Sequence, residues 1–293
     1  MDKTTVKYFL LAAILTFAAG GTVWADFGDG PGEFIFPSGI ALDQEGNIYV
    51  SEIGNDRIQK LDPDQQWINS WGRFGRDSAG FDDPTALAFG PEGNLYIVDS
   101  GNRRVVVCDT AGNMLKYIPL PDSSKPWGIA FVADYFYVSD RQNNQIYLFN
   151  QNRNLISALG QSGSLNGQFL HPKGLAVDGN KRLYVVDAGN NRIQVFSEEG
   201  IFIRSWGGYG EGDGEFDSPG GIFSGPSGQV MITDSGNDRF QEFTGEGLFT
   251  SYGGGAGTEP GQFLNPNGIA IDSRGNLYIV DTDNHRVQVF SSQ

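Results

Sequence analysis

Residues 266–290 read PNGIAIDSRGNLYIVDTDNHRVQVF, and the fold turns on how this stretch is read. Its apolar runs are short, rich in β-branched and aromatic residues, and divided by Gly, Asn and Asp, which is how strands joined by tight turns are written. Strands are predicted over 268–272, 276–281 and 286–291. The same pattern begins at Pro37, Pro84, Pro126, Pro172 and Pro219, with successive prolines 47, 42, 46, 47 and 47 residues apart. A fourth strand is read between units, over 68–71, 155–159, 201–206 and 248–252. No stretch of helical period follows Ala19. Four strands in a repeat of about 47 residues predict propeller blades, since a leucine-rich solenoid has a shorter period and helical segments. The expected fold is all-β: a six-bladed β-propeller of four-stranded antiparallel blades.

Composition agrees. Of 293 residues 42 are Gly, so turns are numerous, and 13% aromatic residues suffice for a core. A net charge of −15 repels phosphate backbones and anionic lipid, so no nucleic-acid partner is expected. Cys108 stands alone, which excludes an intramolecular disulfide and Cys-rich zinc sites.

The amino terminus reads as an address. Lys3 and Lys7 precede an apolar run, YFLLAAILTFAA over 8–19, with the length of a signal-peptide core and too short for a spanning helix. The small residues allow cleavage after Ala25, Gly21 or Gly20, and an uncleaved anchor is the alternative. Blade six ends at Gln293, directly after its third strand, so an outer strand must come from elsewhere. Residues 22–28 (TVWADFG) match the outer strands in kind. This predicts closure by the amino terminus and cleavage after Gly20 or Gly21, giving a leader over 1–21 and a propeller over 22–293. The expected location is periplasmic or extracellular, as a monomer with no stable membrane insertion after cleavage.

The repeated residues resemble the NHL-repeat propellers, in the run Pro-x-Gly-Ile-Ala-x-Asp, then Gly-Asn-Leu-Tyr-Ile-Val-Asp, then Asn-x-Arg-Val-Gln-Val-Phe. The resemblance implies a propeller and a recognition surface whose partner varies among members.

Each repeated position has a physical use. Pro fixes φ at the head of the first strand, and the glycines at 39, 128, 174, 221 and 268 allow close backbone approach near the axis, with Ala86 the departure. An acid closes the second strand (Glu52, Asp99, Asp140, Asp187, Asp234, Asp281), and five residues later stand Arg57, Arg104, Arg192, Arg239 and Arg286, with Gln145 in blade three. The constant offset reads as a ring of structural ion pairs. Gly-x-Phe loops place Phe34, Phe169, Phe216 and Phe263 as plugs between blades, with Phe81 the cognate in blade two and none in blade three.

Chemistry is sparser. Two histidines, His171 and His285, are too few for a three-histidine zinc centre, and His285 reads as the cap of a surface loop. There is no serine-nucleophile elbow, zinc-protease helix or phosphate loop. Asp83, His171 and Asn265, each just before a blade proline, stand on alternate blades and are the candidate ligands of one calcium or other divalent ion in a hydrolase or lactonase. The leading expectation is a non-catalytic exported scaffold without a cofactor, binding a protein, peptide or carbohydrate at the channel face. The expected contacts are Ser38, Thr85, Trp127, Lys173 and Asn267 at the channel entry with Arg141, Trp127 as an apolar anchor and Lys173 or Arg141 for an anionic group.

Overall fold

The computed structural model describes residues 22–24, 27–225 and 228–291, and the leader read over 1–21 lies outside them. Six four-stranded antiparallel sheets are present. Blade one is typical: Pro37–Leu42 nearest the axis, then Ile48–Glu52, Arg57–Leu61 and the outer Trp67–Trp71. Blade two carries an outer strand, Met114–Pro119, that the reading of the sequence did not pick out. Ring closure is formed by Thr22–Trp24, which pairs antiparallel with Arg286–Phe290, Val23 opposite Gln288. That strand covers the edge blade six would otherwise leave open.

The core lies in the wedges between blades. One cluster joins Tyr184 and Val186 of blade four to Phe216, Val230 and Ile232 of blade five. Each Gly-x-Phe loop inserts its ring there: Phe34, Phe169, Phe216 and Phe263 are fully buried and Phe81 nearly so. Between blades two and three no such ring exists. Leu120 and Tyr147 fill the wedge beside the stacked Phe136 and Phe149, whose centroids lie 4.9 Å apart. Near the axis the glycine rule has a steric cause, since a Cβ on Gly39 would overlap the Thr85 carbonyl oxygen and one on Gly221 that of Asn267.

Candidate functional site

The acids closing the second strands hold the loops of one face. In blade four, Asp187 Oδ2 accepts from Arg192 Nε at 2.8 Å and from Gln194 Nε2 at 3.0 Å, while Asn190 donates to the same carboxylate. Arg192 also donates to the carbonyls of Leu165 and Gln168, clamping the plug loop. Glu52–Arg57, Asp99–Arg104, Asp234–Arg239 and Asp281–Arg286 repeat the pairing, each acid fully buried. Burial pushes the Asp99 and Asp234 carboxyls up, against the donors that favour ionisation. Blade three differs: Asp140 accepts from Tyr147 Oη at 2.9 Å and Asn143 at 2.8 Å, while Gln145 reaches the Gly160 carbonyl. The glutamines at 59, 194, 241 and 288, two places beyond every arginine of the series but Arg104, belong to this clamp. The reading of the sequence gave them no role.

A second device joins neighbouring blades. The residue before each arginine, and before Gln145 in blade three, sits in the left-handed region, and at five junctions its side chain accepts the N–H of the residue preceding the next blade's proline. Asp56 accepts from Asp83, Asn144 from His171, Asn191 from Ser218, and Asp238 from Asn265, at 2.7 to 3.0 Å. His285 Nδ1 accepts from Phe36 at 3.0 Å. This histidine therefore locks blade six to blade one across the closure, where a surface cap was expected. The sixth junction has no lock. Blade two carries Arg103, which has no acceptor to offer, and the N–H of Lys125 turns to Asp140 of its own blade.

The channel is narrow. A cavity of about 100 Å³ at the axis is lined by backbone glycines with Ser38, Thr85, Trp127 and Asn267. Ser38, Thr85 and Asn267 are buried here, within the lumen. Hydroxyls on alternate blades stitch it: Ser139 Oγ accepts from Gly128 N–H and donates to the Lys173 carbonyl, and Ser51 and Thr233 do the same towards Thr85 and Asn267. Valines 98, 186 and 280 occupy the intervening blades, a hydroxyl–valine alternation that could have been read from the sequence. Asn267 Oδ1 faces this lumen without a hydrogen-bond partner.

Outside the lumen, over blades three and four, lies a wider cleft of about 410 Å³ lined by Lys125, Arg141, Gln142, His171, Lys173 and Ser218. Arg141 packs 4.6 Å from the Trp127 ring centre and Lys173 5.6 Å from it. A large aromatic face thus holds two cations together at the mouth. Neither has an ion-pair partner among the described residues. Burial, reinforced by the Arg141 charge, pulls the Lys173 ammonium down to about 8. Burial also lowers Arg141, with the Asp83 charge opposing it. The Arg141 carbonyl can only accept, so the 2.9 Å contact to His171 Nδ1 places a proton on Nδ1.

Of the candidate metal ligands, Asp83 lies with Asp56 and Asp82, their carboxylate oxygens mutually within 4.8 Å. Burial, with repulsion from Asp83 and Asp82, raises Asp56 although it accepts the Asp83 N–H. His171 stands among the cations of the cleft, and Asn265 gives its N–H to Asp238.

Residues 169–196 and 263–290 match the NHL repeat family model. Two of the six repeats thus carry the NHL signature, on a chain folded as a six-bladed propeller. Among solved structures this propeller is similar to an auxiliary nutrient binding protein from Bacteroides ovatus, at 15% identity and TM-score 0.71, covering 95% of this chain and 78% of that one. It is similar to a gluconolactonase from Xanthomonas campestris at 14% identity and TM-score 0.68, covering 94% and 98%. Virginiamycin B lyase from Staphylococcus aureus matches at 16% identity and TM-score 0.62, covering 87% and 80%. A comparison of the chain with curated proteins finds no match. Among the described residues no helix is long and apolar enough to cross a membrane.

Proposed function

We propose that this propeller is an exported, non-catalytic binding module whose channel mouth takes an anionic group of a small or polymeric ligand, with no cofactor. The observation that carries the reading is the pair Arg141 and Lys173, held against Trp127 and without a carboxylate partner in a chain of net charge −15. A half-buried lysine whose ammonium is destabilised by its surroundings detracts from folding, and such groups are retained where a ligand uses them. An arriving carboxylate would restore what burial removed. The nutrient binding protein of similar fold is consistent with a binding role. A hydrolase using Asp83, His171 and Asn265 would have to seat a cation next to Lys125, Arg141 and Lys173, which repel it.

The test is calorimetric titration with galacturonate and, in parallel, uncharged galactose. Binding of the acid alone, abolished in Lys173→Met and Arg141→Met, supports the reading. Equal binding of both sugars, or no effect of either substitution, defeats it. Elemental analysis of the purified protein adds the second arm: a stoichiometric divalent ion lost in Asp83→Ala would favour the hydrolase.

A further inference from the structure

The cleft at the channel mouth does not end at blade three. Lys125 and Gln142 also line a neighbouring hollow of about 390 Å³ with Arg76, Arg103, Ser123 and Ser124. Arg76 and Arg103 in turn line a third hollow of about 430 Å³, which reaches Met114, Tyr117 and Pro119 on the outer strand of blade two. Shared walls make the three hollows one groove. It runs across a single face, from the outer edge of blade two to the axis, through the loops that enter the blades and those that join their second and third strands.

The cations of the molecule are distributed to match. Eleven of the lysines and arginines among the described residues are ion-paired. Of the seven that are not, five line this groove: Arg76, Arg103, Lys125, Arg141 and Lys173, the others being Lys60 and Lys116. The single acid along it, Asp77, is paired with Arg73. The groove follows the one junction that lacks both the plug ring and the blade-to-blade lock, where the loop entering blade three is shortened and Arg103 replaces an acceptor.

We infer that this groove binds a linear acidic oligosaccharide, one uronate-bearing unit in each hollow, with its terminal carboxylate at Arg141 and Lys173. The inference rests on the channel-mouth reading and extends it. Three hollows in series, each of a volume suited to a small ligand and each with at least two unpaired cations, fit a chain that repeats one charge per ring. Tyr117, 54% exposed with Arg104 5.7 Å from its ring centre, offers a flat aromatic face at the outer end on which a sugar ring can stack. Ser123 and Gln142 offer hydroxyl and amide partners. A single-stranded nucleic acid carries the same one charge per unit but binds by stacking successive bases on aromatic faces, and among the residues lining the groove only Tyr117 offers one.

The probes are oligogalacturonate, monomeric galacturonate, poly-glutamate and single-stranded DNA, titrated into the wild-type chain and into Arg76→Ala, Arg103→Ala and Lys60→Ala. Arg76 and Arg103 are exposed and unpaired, so both variants should fold. The oligosaccharide is expected to bind more tightly than the monomer. Each groove variant should weaken it about tenfold, the loss of one charge-assisted hydrogen bond, and leave the monomer unchanged. Lys60→Ala should change neither. An oligosaccharide no tighter than the monomer, with the monomer still lost in Lys173→Met, overturns the groove and leaves the channel-mouth site standing. Failure of the monomer as well overturns both. Tighter binding of poly-glutamate or DNA than of the oligosaccharide refutes the assigned ligand class.

Discussion

The junction between blades four and five and the junction between blades two and three are made from the same repeat and differ in what they do. At the first, Phe216 fills the wedge, Asp187 and Arg192 clamp the loop entering blade four, and Asn191 accepts the Ser218 N–H. The acid, the arginine and the lock residue each have a partner inside the protein. At the second, the plug ring is absent, the lock position is Arg103, and Arg76, Arg103 and Lys125 face solvent unpaired. A position that serves the fold in five copies has been released in one, and charges gather where the release occurred.

The comparison predicts unequal costs. Asp187→Ala should be the most damaging, because it leaves the part-buried Arg192, with Asn190 and Gln194, without the buried carboxylate they all serve, and should lower unfolding free energy by about 3 kcal/mol in urea titration. A loss near zero would mean the clamp is ornamental. Lys173→Met should move the other way. The Lys173 site at about 8 lies below the ordinary lysine value, so between the two the unfolded chain holds the proton more tightly. Charged Lys173 therefore lowers stability at neutral pH, and the penalty fades as pH rises towards about 10.4. Removing it should stabilise by about 1–2 kcal/mol after the lost contact with Trp127. Because the ammonium binds the anion, ligand affinity should fall as pH rises through 8, and a flat profile from 6 to about 9 would exclude Lys173 from the contact.

The smaller effects concern the locks. Asn191→Ala should cost about 1 kcal/mol, the value of one hydrogen bond, whereas Arg103→Asn should gain nothing because the Lys125 N–H already serves Asp140. A stabilised Arg103→Asn would show the junction to be merely degraded. His285→Asn, which keeps an acceptor for Phe36, should be nearly neutral by comparison. If the leader read over 1–21 is removed, N-terminal sequencing should find Thr22 retained. A start at Asp26 would remove the closing strand.

Much of this was legible because the repeat states it six times. Spacing of the prolines gave the blades, the constant offset from acid to arginine put the ion pairs side by side, and the missing outer strand of blade six pointed to the amino terminus. Contacts between blades were harder to read. Nothing in the identity of Asn191 or His285 says that its side chain reaches a backbone N–H 27 residues or a whole ring away, because that depends on a left-handed turn and on the angle between sheets. Trp127, Arg141 and Lys173 were expected as contacts from the sequence, yet their meeting at one ring belongs to the three-dimensional arrangement. The groove was invisible for a similar reason: Arg76 and Arg103 stand 27 residues apart in different loops, and their common face appears only once the short loop before Pro126 is in place.

The most direct test is to measure stability and galacturonate affinity on the same preparation of Lys173→Met. If the cations at the released junction serve a ligand at the expense of the fold, the variant unfolds at higher denaturant than the parent and no longer binds the acid. A variant that is less stable and binds as well as the parent would show that Lys173 belongs to the scaffold, and the account would be wrong.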